Sequence, residues 1–136
     1  MNYKQKVGCN IENLKGVRDF IRNTLKDHGV PDFQISELVL ALDEMCSNLM
    51  IHAHHCDPEH LLELTISAKT NGNLIFEIMD DGTVFDVNAF DEPTINELIS
   101  VKRKGGLGIR LVKTIMDNIE YETRGGRNVC RLTKRV

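Results

Sequence analysis

The chain has 136 residues, 41% of them hydrophobic and 27% charged, with a formal charge of −3 at pH 7. These values predict one globular domain over 1–136 and exclude a second domain with a core of its own. The mild acidity argues against direct nucleic-acid binding, which needs a basic surface. No apolar run approaches the ~18 residues of a membrane span, and the first residues lack the apolar segment of a signal peptide. The sequence therefore predicts a cytoplasmic protein, and its four cysteines are interpreted as free thiols.

The first half of the chain carries strand and helix signals with clear boundaries. A short edge strand is predicted from Tyr3 to Val7. Asn10 is a typical helix N-cap and Gly29 is a typical residue after a helix end, so these two bound the first helix. A second, more apolar helix is predicted from Pro31 to about Ala53. Period-two alternation then predicts two strands, joined by a hairpin at Asn71-Gly72.

The second half of the chain begins with a long connection at 81–104, which has no clear strand and at most one short helix, near 95–101. A connection of this length in a compact domain is typical of a functional lid. A third helix follows the glycine cluster Gly105–Gly108, and two final strands are predicted near Glu120–Arg124 and Val129–Arg135. Because helices and strands are segregated, we predict an α+β fold, with three helices on one face of a mostly antiparallel sheet.

The second helix carries the most specific motif. Glu44, Asn48 and His52 are four residues apart and form a ridge along one edge of its apolar stripe, whereas Asp43 points to the other edge. The oxygen-only pair of Glu44 and Asn48 suits Mg²⁺, and the carboxylate could instead act as a general base. For this helix alone, a polar edge with an intrahelical contact from Glu44 to Asn48 is the favoured interpretation.

A second motif, Asp80-Asp81-Gly82, ends a predicted strand. Asp80 continues the inward parity of Leu74, Phe76 and Ile78, so its carboxylate is expected to turn toward the interior. A buried carboxylate requires a partner, such as a ligand amine or a basic side chain. Gly82 would allow a sharp turn and a close approach of the ligand. The alternative is a turn in which Asp80 caps its own backbone.

The third motif is the glycine cluster Gly105-Gly106-Leu107-Gly108 before the third helix. Glycines expose backbone N–H groups, and a helix N-terminus adds partial positive charge, so a phosphate would be stabilised there. Lys102, Arg103 and Lys104 add cationic charge just before it. A flexible loop that only closes the start of the helix is the alternative.

Taken in order, the three motifs resemble those of the GHKL ATPase superfamily, which includes gyrase, the mismatch-repair ATPases and the sensor histidine kinases. Leu42–Asn48 resembles the N box, Asp80–Asp86 the first glycine box and Gly105–Ile109 the second. The Asp-Glu pair of the N box, the Phe-Asp after the first glycine box, and the closing Gly126–Asn128 and Leu132–Lys134 are similar to the small anti-sigma factor branch, the RsbW-like serine kinases.

The resemblance implies a role for each matched residue. Glu44 would be the base that polarises the attacking hydroxyl, and Asn48 would bind the Mg²⁺ that bridges the ATP phosphates. Asp80 would accept a hydrogen bond from the adenine amine, and Gly82 would let the adenine pack close. The other implied nucleotide contacts are Gly106, Leu107 and Gly108 at the phosphates, under a lid at 86–104, and Thr133 at the adenine end.

The resemblance also implies a function, an ATP-dependent serine kinase of the anti-sigma type. Such a protein binds a sigma factor, phosphorylates a STAS-type antagonist protein, and forms a homodimer. A nucleotide-gated module that switches partners without phosphate transfer is an alternative, although retention of Glu44 favours the kinase. The ATP-binding domain of a histidine kinase acting in trans is a third reading, which the absence of a dimerising helical hairpin disfavours.

One group of residues points to different chemistry. Imidazole and thiolate groups are zinc ligands, and several cluster after the second helix. However, no C-x-x-C pair anchors the cluster, and histidines near the carbonyls of a helix end have a simpler explanation. A zinc site therefore stays an alternative for His52, His54, His55, Cys56 and His60.

Overall fold

The computed structural model describes residues 2–50, 60–69, 72–80 and 110–135 of the chain. In these ranges, five strands form one sheet in the order β1-β2-β3-β5-β4, and the four pairings between neighbours are antiparallel. The strands are β1 (Asn2–Gly8), β2 (Leu61–Ala68), β3 (Asn73–Asp80), β4 (Asn118–Arg124) and β5 (Arg127–Arg135). The predicted strands are thus confirmed, with β1 at one edge of the sheet and β4 at the other. The predicted lid lies outside the described residues.

The helices form the second layer. A 3₁₀ turn at Ile11–Asn13 leads into α1 (Leu14–Asp27), and α2 covers Asp32–Asn48. A third helix, α3, is described at 110–115. Buried side chains of all three helices join those of β2, β3 and β5 in one hydrophobic cluster. The predicted two-layer α+β architecture is therefore confirmed. The α-helical part of α2 ends at Asn48 and a π-helical turn follows at Leu49 and Met50, whereas the predicted end near Ala53 lies outside the described residues.

Both predicted boundaries of the first helix have a structural basis. The Asn10 side chain accepts a hydrogen bond from the Glu12 backbone N–H, at 3.0 Å, and so caps the 3₁₀ turn that precedes α1. At the other end, Gly29 has a φ of 73°, and its N–H donates to the Lys26 carbonyl. The N–H of Val30 donates to Leu25 at 3.1 Å. This pair of bonds is a Schellman motif, which requires the left-handed backbone that glycine adopts most readily.

The strand alternation separates a face that packs on the helices from a polar outer face. On β3, the buried residues are Leu74, Phe76, Ile78 and Asp80, in the predicted parity. On the outer face, the Glu63 carboxylate lies between the Lys4 ammonium, at 2.9 Å, and the Arg127 guanidinium, at 3.1 Å. The Glu63 side chain is only 6% exposed. The hydrogen bond from Lys4, with that from Arg127, holds the pKa of Glu63 below its ordinary value although burial opposes this shift.

The connection between α3 and β4 is fixed by the end of β5. The Lys134 ammonium donates to the Ile115 carbonyl at 2.8 Å, which places a positive charge at the carboxyl end of α3. The Asp117 N–H donates to the Thr133 carbonyl at 2.9 Å. The second half of β5 therefore lies beside the carboxyl end of α3.

Candidate functional site

The polar edge of α2 carries Glu44 and Asn48, one helical turn apart, and both are partly buried. Asp43 is on the opposite edge, where its carboxylate accepts a hydrogen bond from the Arg18 guanidinium of α1 at 2.9 Å. The two neighbouring carboxylates therefore have different environments. Asp43 joins the two helices, whereas Glu44 lies on the edge that also holds Asn48, as the sequence pattern predicts.

Asn48 presents an unsatisfied donor on this edge. Its Nδ2 atom is buried and has no hydrogen-bond partner in the part of the chain that the structure describes. A buried amide without a partner is costly, because it has lost its hydrogen bonds to water. A bound ligand is one partner that would satisfy such a donor, as the ligand interpretation of the N-box residues requires.

Asp80 ends β3 and is almost fully buried, with 2% of the residue exposed. Its register partner on β5 is Asn128, which is 3% exposed. Side chains directly opposite each other in an antiparallel pair lie on the same sheet face, with Cβ atoms about 5 Å apart. The Asn128 Nδ2 atom is buried and has no hydrogen-bond partner in the described ranges. An acceptor and an unsatisfied donor are thus side by side on the face that the helices cover.

No role is predicted for Asn128 from the motifs, although the alternation of buried residues along β5 points to it. Cys130 and Leu132 of β5 are buried in the core cluster, and Asn128 continues their parity by one further step. A polar residue at the end of such an apolar row has the same pattern that pointed to Asp80 on β3. Applying the parity argument to β5 as well as β3 would have found this residue.

Thr133 was predicted at the adenine end of the site, and the structure does not bring it to Asp80. Its register partner on β3 is Ile75, five residues before Asp80. Five residues of strand correspond to about 17 Å. The odd separation from Asn128 also places Thr133 on the outer face of the sheet. Asn128, not Thr133, is therefore the β5 residue beside Asp80.

Two buried cysteines connect α2 to this end of the sheet. Cys130 lies between Asn128 and Leu132 on β5, and Cys46 lies between Glu44 and Asn48 on α2. Burial raises the pKa of the Cys130 thiol, and the nearby Cys46 and Asp80 raise it further. Burial likewise raises the pKa of Cys46 to about 12. Both thiols also belong to the one buried hydrophobic cluster, so the core-facing side of α2 and the β5 strand contribute to the same core.

Other predicted site residues cannot be located in the same way. Gly82, Gly106, Leu107 and Gly108 lie outside the described residues, as do the basic residues at 102–104. Of the proposed zinc cluster, the structure describes His60 alone, which is at the start of β2. Among the described residues, no group of three or more His, Cys, Asp or Glu side chains is arranged to hold a metal ion.

Comparison with protein families agrees with this geometry. A sequence model of the histidine kinase-like ATPase domain matches residues 9–134. The chain belongs to the histidine kinase-like ATPase family. The match includes α1, α2, α3, the last four strands and the intervening residues, so this nucleotide-binding fold accounts for nearly the whole chain.

Curated relatives in this ATPase family are named as kinases. The chain is 32% identical over 132 residues to the serine-protein kinase RsbW of Bacillus cereus, with 93% of this chain and 80% of that protein covered. It is 28% identical over 96 residues to the serine/threonine-protein kinase BtrW of Bordetella bronchiseptica, with 71% and 67% covered. RsbW of Bacillus subtilis is 25% identical over 100 residues, covering 71% of this chain and 62% of that protein.

Solved structures of the histidine kinase-like ATPase fold are also similar. The crystal structure of the RsbU and RsbW domains of a Mycobacterium tuberculosis protein matches 99% of this chain and 32% of that one, with a TM-score of 0.69 and 16% identity. The SiaB-SiaC complex from Pseudomonas aeruginosa contains a chain that matches 96% of this one and is itself 88% covered, with a TM-score of 0.66 and 13% identity. At these identities the two structures establish the fold.

Proposed function

We propose that this protein is an ATP-dependent protein serine kinase of the anti-sigma type. The observation that carries the proposal is the buried register pair of Asp80 and Asn128, whose amide nitrogen has no partner among the described residues. Glu44 and Asn48 lie one turn apart on one edge of α2, and together these residues supply a carboxylate suited to proton transfer and polar groups suited to an adenine base. The serine-protein kinases among the relatives support transfer to a serine hydroxyl.

Asp80 and Asn128 would recognise the nucleotide base together. A buried carboxylate accepts a hydrogen bond from the exocyclic amine of adenine, and the Asn128 Nδ2 would donate to a neighbouring ring nitrogen. Leu62, the other register partner of Asp80, is 1% exposed and adds an apolar wall beside the pair. A guanine base would present a carbonyl oxygen to Asp80 and leave that carboxylate unsatisfied, which predicts a preference for ATP over GTP.

Glu44 would act on the acceptor hydroxyl. In phosphoryl transfer the protein mainly positions the reactants and stabilises charge, and a carboxylate accepts the proton as the hydroxyl oxygen attacks. Asp43 is the nearest alternative base, but its contact with Arg18 directs it to the other edge of α2. Glu44 is therefore the carboxylate of this pair that we assign as the base.

A magnesium ion fits the residues on this edge. An amide oxygen and a carboxylate are ligands that Mg²⁺ accepts together with phosphate oxygens and water, and Asn48 and the neighbouring Glu44 supply both on this edge of α2. We assign Asn48 as the residue that would hold the ion. When bound, Mg²⁺ would neutralise phosphate charge during transfer. Gly82, Gly106, Leu107 and Gly108 stay predictions as nucleotide contacts.

A serine kinase of the anti-sigma type also implies particular protein partners. We propose a sigma factor as the protein that is held and a STAS-type antagonist as the protein that is phosphorylated, with a homodimer as the active form. Among the described residues, no helix is long and apolar enough to cross a bilayer. A kinase that consumes ATP acts where ATP is supplied, so we place this protein in the cytoplasm.

Phosphate transfer from labelled ATP separates the kinase from a nucleotide-gated binding module. The purified chain is incubated with Mg-ATP labelled at the γ-phosphate and with STAS-domain proteins of the same organism. The proposal predicts acid-stable phosphoserine on one of these proteins. ATP binding without transfer to any of them would instead identify a module that switches partners without catalysis.

A further inference from the structure

The outer side of α2 exposes two large apolar residues. Phe33 is 67% exposed and Leu40 is 46% exposed, whereas most other large apolar side chains of the helix are buried. Seven residues separate them, which is two helical turns, or about 10 Å along the same side of the helix. Exposed apolar residues that share a helix side form a surface patch, and such patches on soluble domains mark interaction sites.

The charged residues of α2 itself are all acidic. The helix sequence, Asp32 to Asn48, contains four acidic residues and no lysine or arginine. Glu37 is four residues after Phe33 and three before Leu40, so it lies between them on the exposed side. Two copies of this surface would bring acidic side chains together, which is unfavourable. The surface therefore suits a different partner, one whose apolar residues are flanked by lysine or arginine.

The patch leads directly to the proposed base. Glu44 is four residues after Leu40, which places it on nearly the same side of the helix and about 6 Å further along the axis. A protein that rests on Phe33 and Leu40 is thereby positioned next to the carboxylate that must receive a proton from its serine. A partner that is only held, without reacting, has no need of a surface that ends at Glu44.

We infer that the side of α2 formed by Phe33, Glu37 and Leu40 is the docking surface for the phosphoacceptor protein. The partner binds through exposed apolar residues surrounded by basic ones, and the contact lowers the acceptor concentration needed for transfer. This inference rests on the proposed kinase function and adds the surface that selects the substrate protein.

The test uses the STAS-domain protein that the wild-type chain phosphorylates. Phe33→Ser and Leu40→Ser together are expected to raise KM for this acceptor at least tenfold, because central apolar contacts dominate interface energies. The turnover at saturating acceptor and the Kd for ATP should change by less than twofold. Glu37→Lys should also raise KM, and more strongly at low salt. Leu61→Ser is the matched control, because Leu61 is 48% exposed but belongs to β2 in the sheet layer.

The outcomes separate this surface from the proposed function. An acceptor KM within twofold of wild type in the double variant would overturn the docking surface while leaving the kinase intact. The same would follow if Leu61→Ser raised KM as much as the double variant. If the wild-type chain labels no acceptor, the kinase proposal fails, and calorimetry with the STAS-domain protein of the organism that the wild-type chain binds most tightly decides the surface. Binding lost in the double variant supports it, and equal binding overturns it.

Discussion

Asp80 on β3 and Asn128 on β5 are direct register partners, and both side chains are buried on the sheet face that the helices cover. The pair follows two rows of apolar partners, Ile78 with Cys130 and Phe76 with Leu132. Buried polar groups at the end of an apolar row need hydrogen-bond partners, and the Asn128 Nδ2 has none among the described residues. Under the proposed function, this end of an otherwise hydrophobic sheet would recognise the polar edge of a nucleotide base.

Replacing Asn128 by Ala should weaken ATP binding about 3- to 10-fold, which is the effect of losing one hydrogen bond of about 1 kcal/mol. Calorimetric titration with ATP measures the loss. Thr133→Ala is the matched control, because Thr133 is on the same strand but on its outer face, and its ATP affinity should equal that of the wild type. Loss of affinity in the control with none in Asn128→Ala would reverse our assignment on β5.

Asp80→Asn should reduce the preference for ATP over GTP. A carboxylate only accepts hydrogen bonds, whereas an amide can also donate to the carbonyl oxygen of guanine. The ratio of the two dissociation constants should fall by about tenfold, equivalent to about 1.4 kcal/mol of discrimination. An unchanged ratio would show that Asp80 does not contact the base.

Two glycines of the first helix region should respond to alanine with opposite signs. Gly29 has a φ of 73° and no atom within 4 Å of an added Cβ, so the cost of Gly29→Ala is the left-handed backbone alone, about 1 kcal/mol. Gly16 is inside α1, and its added Cβ would meet only the Gln5 Nε2 at 3.9 Å. Gly16→Ala should therefore stabilise the protein by about 0.5 kcal/mol. Urea unfolding of both variants measures the difference, and destabilisation by Gly16→Ala would contradict the packing of α1 on β1.

The contact of Glu63 with Lys4 and Arg127 should make the stability of the protein depend on pH. The pKa of Glu63 is lower in the folded chain than its ordinary value of 4.5. The carboxylate therefore stabilises the fold fully above the unfolded pKa, and this contribution is lost as the pH falls through the folded pKa. Glu63→Gln should lower the free energy of unfolding by about 1 kcal/mol at pH 7, with the two proteins converging as the pH falls through the folded pKa of Glu63.

A matched charge removal distinguishes this effect from a general loss of negative charge. Glu120→Gln removes an exposed carboxylate that is 3.9 Å from the Arg131 guanidinium. Exposed ion pairs contribute little, so this variant should differ from wild type by less than about 0.5 kcal/mol at pH 7. Equal losses in the free energy of unfolding for both variants would mean that the buried Glu63 contributes no more to stability than an exposed carboxylate.

Local rules were sufficient for most of the fold. Helix caps and period-two alternation predicted α1, the five strands and the inward carboxylate of Asp80, because each depends on residues close in sequence. Thr133 was assigned from a motif at the end of the chain, and its face is set by β5 pairing with β3, which sequence proximity does not encode. The parity of Asn128 with Cys130 and Leu132 can be seen in the sequence, but its position beside Asp80 depends on the pairing of β3 with β5.

The two sides of α2 follow from its helical periodicity. The apolar stripe predicted to face the core leaves out Phe33 and Leu40, and its described residues are buried, whereas Phe33 and Leu40 are exposed. The periodicity does not show how much of each exposed side chain the neighbouring elements cover, because that depends on the packing of α2 in the tertiary structure.

Serine phosphorylation by Glu44→Gln, measured beside wild type with saturating Mg-ATP and acceptor, tests the central claim most directly. Removing a general base should lower the transfer rate by about 10²- to 10⁴-fold, with the Kd for ATP within twofold of wild type. Asp43→Asn, which removes the neighbouring carboxylate that contacts Arg18, should lose stability but keep a transfer rate close to wild type. A Glu44→Gln protein that phosphorylates at the wild-type rate would contradict the assignment of the base and the mechanism built on it.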